Sequence, residues 1–296
     1  MPARKRIRNL AVLPALFTLG NGACGFAACV KVASYLHMGD LGYLVTAAWL
    51  IFAAMLFDAF DGTIARLTKA ATSFGGELDS LCDAVSFGIA PALLVVMWHS
   101  KHLAESNIET FWAKSAWFLC LLYAMAAILR LARFNVENAP DDERHTSFTG
   151  LPTPGAAGLV ASLVILYDFL MQTPQPGTLH GYLSDMFGRT FWTSLAAVIK
   201  DGLPALMLAL GFLMVSSRMR YIHVLNRIIR SRGKGTFDFL AYLFFFGVLG
   251  AAVRELALAG AFVAYAASGP IVYVHGLLKA RGARRDAPSG KEDASK

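Results

Sequence analysis

Apolar residues recur in long blocks along the chain, and polar residues gather in the gaps between them. A transmembrane helix needs about 20 predominantly apolar residues. Blocks of that kind lie near 10–36, 41–66, 76–99, 112–132, 151–170, 191–217, 236–254 and 256–278. The last two come from one run, 236–278, which is too long for a single crossing of a hydrocarbon core about 30 Å thick. The charged pair Arg254 and Glu255 divides it. The pattern predicts an all-α polytopic membrane bundle of eight transmembrane helices.

Composition agrees. Of 296 residues 56% are hydrophobic and only 16% charged, which excludes a soluble globular chain that must cover its surface with polar groups. Cys24, Cys29, Cys82 and Cys120 sit inside apolar blocks without the Cys/His spacing that zinc requires, so they read as small buried hydrophobes. The apolar run after the basic N-terminus is longer than the core of a cleavable signal, and the first helix is expected to be retained.

Charge sets the orientation. Arg4, Lys5, Arg6 and Arg8 precede the first span, Arg66 and Lys69 follow the second, and Arg130, Arg133 and Arg144 follow the fourth. Arg218 to Lys234 follow the sixth, and Lys279 to Arg285 the last. Eight spans place every basic cluster on one side, which the positive-inside tendency makes cytoplasmic, together with both termini. The expected location is the inner, cytoplasmic membrane. The net charge of +7 follows from these loops and from attraction to anionic headgroups, and nucleic-acid binding is not required. The stretch Arg218–Lys234 reads either as a plain loop or as a site for anionic lipid. Lys31, inside the first span, is expected to snorkel toward the outer interface.

The chemistry is concentrated in residues 58–83, DAFDGTIARLTKAATSFGGELDSLCD. Asp58 and Asp61 are three apart near the end of the second span; Asp79 and Asp83 are four apart at the start of the third. Both spacings put a pair on one helix face, so two adjoining helices can converge four carboxylates. Such groups repel one another in a low-dielectric site, and hard divalent cations with oxygen preference, Mg²⁺ or Mn²⁺, are the natural remedy. Two ions could hold a diphosphate and polarise its phosphorus. Ionisable residues within reach of the bilayer are costly and mark function.

The neighbours of these carboxylates suit a phosphate ligand. Gly62 and Ala65 share a stripe with Asp58 and lack bulk, so a ligand can lie against the backbone there; helix packing through small residues is the other reading. Arg66 can pair bidentately with phosphate, or it is only a topology charge. Thr72, Ser73 and Gly75 open the next helix, whose free N–H groups favour an anion.

The spacing D-x2-D-G-x2-A-R-x8-G-x3-D-x3-D, from Asp58 to Asp83, resembles the signature of the CDP-alcohol phosphotransferases at every defining position. The resemblance implies a six-helix catalytic core that transfers a phosphatidyl or equivalent group from a CDP-linked lipid to an alcohol and releases CMP. It implies that Asp58, Asp61, Asp79 and Asp83 bind metal, that Asp83 is the general base, and that Gly62, Arg66 and Thr72 contact CDP-diacylglycerol. It also implies a homodimer. Cys82 departs from the pattern, where a small residue such as Ala is expected, and is taken to face away from the metals.

Further stretches resemble the membrane-embedded phosphatidylserine synthases: LFTLGNGACGF, ELDSLCDAVSFGIAPALL, RLARFN at 130–135, GLPTPGAAG at 150–158 and LMVSSRMRY at 213–221. The acceptor implied is the hydroxyl of L-serine. Arg130, Arg133 and Asn135 could grip its carboxylate, or serve as topology charges and a helix cap. Asn21 reads either as a contact to cytidine or ribose in the CDP-diacylglycerol site or as an interhelical hydrogen bond. Residues 1–217 are expected to form the transferase core, 218–278 a basic loop with two further helices, and 279–296 a disordered tail. Glycerol 3-phosphate or inositol phosphate as acceptor, and cation transport, remain alternatives; transport sites, however, tend to lie at the midplane and these carboxylates lie at helix ends.

Overall fold

The computed structural model describes residues 12–68, 72–105, 111–137, 150–175, 177–216, 221 and 254–285. Every regular element among them is helical. Helix α1 spans Val12–Met38 and α2 Gly42–Thr68. Helix α3, Ser73–Asp83, runs through a π-helical turn, Ala84–Ile89, into α4, Ala90–Glu105. Then come α5 (Phe111–Glu137), α6 (Thr153–Met171), the short α7 (Leu179–Phe187), α8 (Arg189–Val215) and α9 (Arg254–Arg285). Seven helical runs, with α3 and α4 counted as one, are long and apolar enough to cross a membrane. The chain is a membrane protein. Of the eight stretches expected, 236–254 lies outside the described residues apart from Arg254. Helix α9 continues through Arg285, so the first residues of the tail expected to be disordered are helical; 286–296 lie outside the described residues.

The sequence sets the ends of these helices. Asp40 Oδ1 accepts the Gly42 amide at 2.9 Å and starts α2; Thr72 and Thr178 do the same for α3 and α7. Gly188 ends α7 at φ 77, a left-handed conformation that glycine adopts without strain. Helix α7 falls in the stretch that hydropathy left as a long connection between spans.

Helix packing relies on small residues, because between lipid-embedded helices close backbone approach replaces the hydrophobic effect. Gly22 and Gly25 of α1 face the segment that carries the later aspartates: a Cβ on Gly22 would stand 2.8 Å from Cys82 Sγ, and one on Gly25 would collide with Ser86. Cys82 therefore faces α1. Ala47, Ala48, Ala54, Ala90, Ala127, Ala156 and Ala157 are buried, whereas Leu16, Phe26, Leu56, Trp117, Phe118 and Phe212 are exposed, as side chains bathed in lipid are.

The two ends of the bundle differ. At one end Lys101 Nζ donates to the carbonyls of Tyr35 and Leu36 at the close of α1, and Lys31 lies 5.6 Å from the centre of the Tyr43 ring. At the other end the start of α3 meets the end of α5 through Ser80 and Asn135, and the start of α6 meets the end of α8 through Leu151 N–H and Leu213 O at 3.0 Å. The carboxylates lie at this second end.

Candidate active site

Helix α3 is aimed by its cap. Thr72 Oγ1 accepts the Gly75 amide at 3.0 Å and Thr72 O the Gly76 amide at 3.1 Å, which starts the helix two turns before Asp79. Across from it, α2 brings Asp58 and Asp61 on its closing turns. Asp58, Asp61 and Asp79 each offer one carboxylate oxygen, and these oxygens lie within 4.8 Å of one another. Asp61 is buried. Asp61 Oδ2 and Asp79 Oδ1 are buried with no hydrogen-bond partner among the described residues. Unpaired buried carboxylate oxygens are expensive, and a donor set of hard oxygens at this separation fits a divalent cation such as Mg²⁺ or Mn²⁺.

Asp83 stands one turn further along α3, also buried. It is held from α1: Asn21 Nδ2 donates to Asp83 Oδ1 at 2.8 Å. Immediately after it the backbone enters the π-helical turn, a wider coil that occurs mostly at functional sites. Neighbouring helices clamp this turn. Ser86 Oγ donates to the Asn21 carbonyl at 2.9 Å, and Tyr123, fully buried in α5, donates to the Phe87 carbonyl at 2.9 Å.

Four elements enclose a cavity of about 260 Å³ beside these groups. Asp58 comes from α2; Gly76, Asp79, Ser80 and Asp83 from α3; Arg130, Leu131, Phe134 and Asn135 from α5; and Pro152, Thr153 and Pro154 from the start of α6. Ser80 Oγ and Asn135 Oδ1 are 3.0 Å apart, and Asn135 Nδ2 donates to Glu77 Oε2 at 3.3 Å. Arg130 Nε and Thr153 Oγ1 are buried without hydrogen-bond partners among the described residues. Binding pockets for drug-sized ligands run to about 300–1,000 Å³. This one is of a size to take a small molecule.

The residues singled out from sequence fall into three groups. Asp58, Asp79, Asp83, Arg130 and Asn135 share the cavity wall, with Asp61 joined through the carboxylate cluster. Gly62 lies beside them on α2, and a Cβ there would meet nothing within 4 Å among the described residues. Thr72, the N-cap, and Ser73 are exposed at the start of α3, with the half-buried Gly75 in its first turn. The Ala65 and Arg66 side chains lie outside the described residues. Arg133 is exposed and is not in the cavity wall. Asn21 is fully buried and makes the interhelical hydrogen bond of its second reading, donating to Asp83; it is not among the residues that line the cavity.

The sequence profile of the CDP-alcohol phosphatidyltransferase family matches residues 11–197. The chain belongs to this family. Among its relatives are proteins named CDP-diacylglycerol–serine O-phosphatidyltransferase. The one from Helicobacter pylori strain J99 is 35% identical over 167 residues, which cover 55% of this chain and 63% of the relative. That of Mycobacterium tuberculosis H37Rv is 31% identical over 208 residues, 69% of this chain and 64% of the relative. That of Bacillus subtilis 168 is 31% identical over 157 residues, 53% and 77%. The chain thus spans less than two thirds of the Helicobacter and Mycobacterium proteins it matches.

Residue-level reasoning passed over Ser80, Phe134, Pro152, Thr153 and Pro154 as wall residues and over Ser86 and Tyr123 as clamps. The stretch GLPTPGAAG held the signal for three of them, because a Pro-rich turn opening a helix at the catalytic end fixes its first side chains in place.

Proposed function

We propose that this chain transfers the phosphatidyl group of CDP-diacylglycerol to the hydroxyl of L-serine, giving phosphatidylserine and CMP. The observation that carries this reading is the shared cavity, in which Asp58, Asp79 and Asp83 face Arg130 and Asn135. Family membership supports the phosphatidyl transfer. The names of the relatives support serine, and so does the wall itself: among the described residues that line it, Arg130 is the basic one, a match for the acceptor's carboxylate.

In this mechanism Asp58, Asp61 and Asp79, with Asp83, would hold divalent ions, Mg²⁺ or Mn²⁺, two in number. Such ions neutralise the carboxylates and polarise a diphosphate. The chain supplies the rest. Gly62 and Ala65 leave a flat backbone surface for CDP-diacylglycerol, Arg66 pairs with its phosphates, and the α3 start, Thr72, Ser73 and Gly75, offers N–H and hydroxyl donors. Thr72 accepts from Gly75, which leaves its hydroxyl proton for an anion. Arg130 and Asn135 hold the acceptor. Asp83, its Oδ1 fixed by Asn21, takes the proton from the serine hydroxyl as that oxygen attacks the phosphorus bearing the diacylglycerol, and CMP departs.

The reading extends to setting. The site end is cytoplasmic, because basic residues cluster in the connections there. The membrane is the inner one, residues 1–217 are the transferase core with 218–278 appended, and the chain acts as a homodimer. The test is CMP release from CDP-diacylglycerol by purified protein in the presence of serine, ethanolamine, glycerol 3-phosphate or inositol phosphate. Serine is expected to support turnover best; an equal or better rate with a phosphorylated alcohol would overturn the acceptor assignment.

A further inference from the structure

Pro91 is the second residue of α4, directly behind the π-helical turn, and it is buried. Proline has no N–H, and in a helix its ring crowds the carbonyl four residues back. Here that carbonyl belongs to Phe87, which in a continuous α-helix would lose its donor and clash at once. The chain answers with a wider turn. The Ala90 N–H reaches back to the Val85 carbonyl, and Tyr123 of α5, fully buried, donates its hydroxyl to the Phe87 carbonyl at 2.9 Å. Tyr123 thus stands in for the N–H that Pro91 lacks. Packing agrees: a Cβ on Gly88 would stand 3.3 Å from Ala127 Cβ, so the turn lies close against α5, and Ser86 ties its other side to the Asn21 carbonyl of α1 at 2.9 Å.

The turn separates two stretches with different duties. Behind it Ala90, Leu94, Val95 and Trp98 are buried in the core and anchor α4. Ahead of it α3 is only 11 residues long, exposes Phe74 and Leu81, and brings Asp79 and Asp83 to the cavity wall. A π-turn takes up one residue more than an α-turn, which amounts to about 100° of helix rotation. In a regular helix the anchored half would stay and the short half would rotate, turning both carboxylates away from Asp58 and Asp61.

We propose that Tyr123 is a positioning residue for the metal carboxylates: by replacing the donor that Pro91 lacks, it stabilises the π-helical turn, and the turn keeps Asp79 and Asp83 in phase with Asp58 and Asp61. This rests on the divalent-metal reading above.

The experiment compares full-length wild type, Tyr123→Phe and the double variant Pro91→Ala with Tyr123→Phe. Ser162→Ala serves as control, since it removes another buried helix hydroxyl, one that donates to the Leu159 carbonyl at 2.8 Å. Thermal unfolding reports stability, and electron paramagnetic resonance of Mn²⁺ reports metal binding without substrate. Tyr123→Phe keeps the ring and removes only the donor. Its Mn²⁺ Kd should rise about tenfold, the usual order when support behind metal ligands is lost, and kcat should fall by a similar factor; Ser162→Ala should bind Mn²⁺ as wild type does. In the double variant the new N–H at position 91 can serve the Phe87 carbonyl within a regular helix, so the melting temperature should recover toward wild type while Mn²⁺ binding stays weak. Unchanged Mn²⁺ binding in Tyr123→Phe, or binding restored together with stability in the double variant, overturns the proposal and leaves the metal reading intact. A wild type that binds no Mn²⁺ overturns the metal reading and this inference with it.

Discussion

Asn21 of α1 donates a 2.8 Å hydrogen bond to Asp83, 62 positions later in the chain. Its backbone carbonyl meanwhile accepts from Ser86, so one residue ties α1 to both the last aspartate and the π-helical turn behind it. Replacing the side chain leaves the Ser86 bond in place, because that bond uses the backbone. Asn21→Ala should therefore fold and lose the orientation of Asp83. A hydrogen bond to a charged group is worth about 1.5–3 kcal/mol, so kcat should fall roughly tenfold to a hundredfold. Turnover equal to wild type would show that Asp83 needs no tether.

The bundle was legible from hydropathy because each crossing needs a long apolar run, and the four aspartates were legible because charges at such positions stand out. What linked Asn21 to Asp83 was not, since a lone polar residue in a span can face a ligand or another helix, and only the Gly22 and Gly25 approach of α1 to α3 decides which. The cavity wall at Thr153 was hidden for a similar reason: it depends on how α6 docks on α5 and α8. The seating of α9 was hidden because the Tyr265 ring packs on Gly155 and the Phe262 ring on Gly158, glycines whose packing role becomes visible only when α9 lies on them.

Divalent metal removal should stop turnover. Asp58, Asp61 and Asp79 bring oxygens within 4.8 Å of one another, and two buried oxygens in this set have no protein partner among the described residues. Asp79→Asn removes one charge from the shared set, and the loss should exceed the ~10–100-fold typical of a residue that merely orients a metal ligand. Chelation followed by Mg²⁺ or Mn²⁺ add-back, with CMP release as the readout, checks both. Full activity in excess chelator would end the metal assignment.

Two glycines distinguish ligand space from packing. A Cβ at Gly62 meets nothing within 4 Å among the described residues, whereas one at Gly25 collides with Ser86. Gly62→Ala should hold or raise stability, by up to about 0.5–1 kcal/mol from helix propensity, and a larger Gly62→Leu should raise the CDP-diacylglycerol KM by blocking the flat surface. Gly25→Ala should instead cost about 1–3 kcal/mol through overpacking. Thermal unfolding in detergent together with substrate titration separates the two; a destabilised Gly62→Ala with normal KM would mean that this glycine serves packing after all.

Acceptor choice divides two arginines that the sequence could not tell apart. Arg130 lines the cavity with Asp58, Asp79 and Asp83, and its buried Nε has no hydrogen-bond partner among the described residues; Arg133, one turn on, is exposed and outside that wall. If Arg130 grips the serine carboxylate, truncating it to Ala should weaken serine by about 2–5 kcal/mol, the usual cost of breaking a buried charge pair, which is tens to thousands of fold in KM. Arg133→Ala should move the serine KM far less. Ethanolamine, which keeps the hydroxyl and amine and lacks the carboxylate, supplies the control: wild type should prefer serine strongly, and Arg130→Ala should lose most of that preference by losing serine activity while its weak ethanolamine rate persists. If Arg133→Ala shows the larger loss, the carboxylate is bound outside the cavity. If both variants keep wild-type selectivity, serine is recognised by neither arginine.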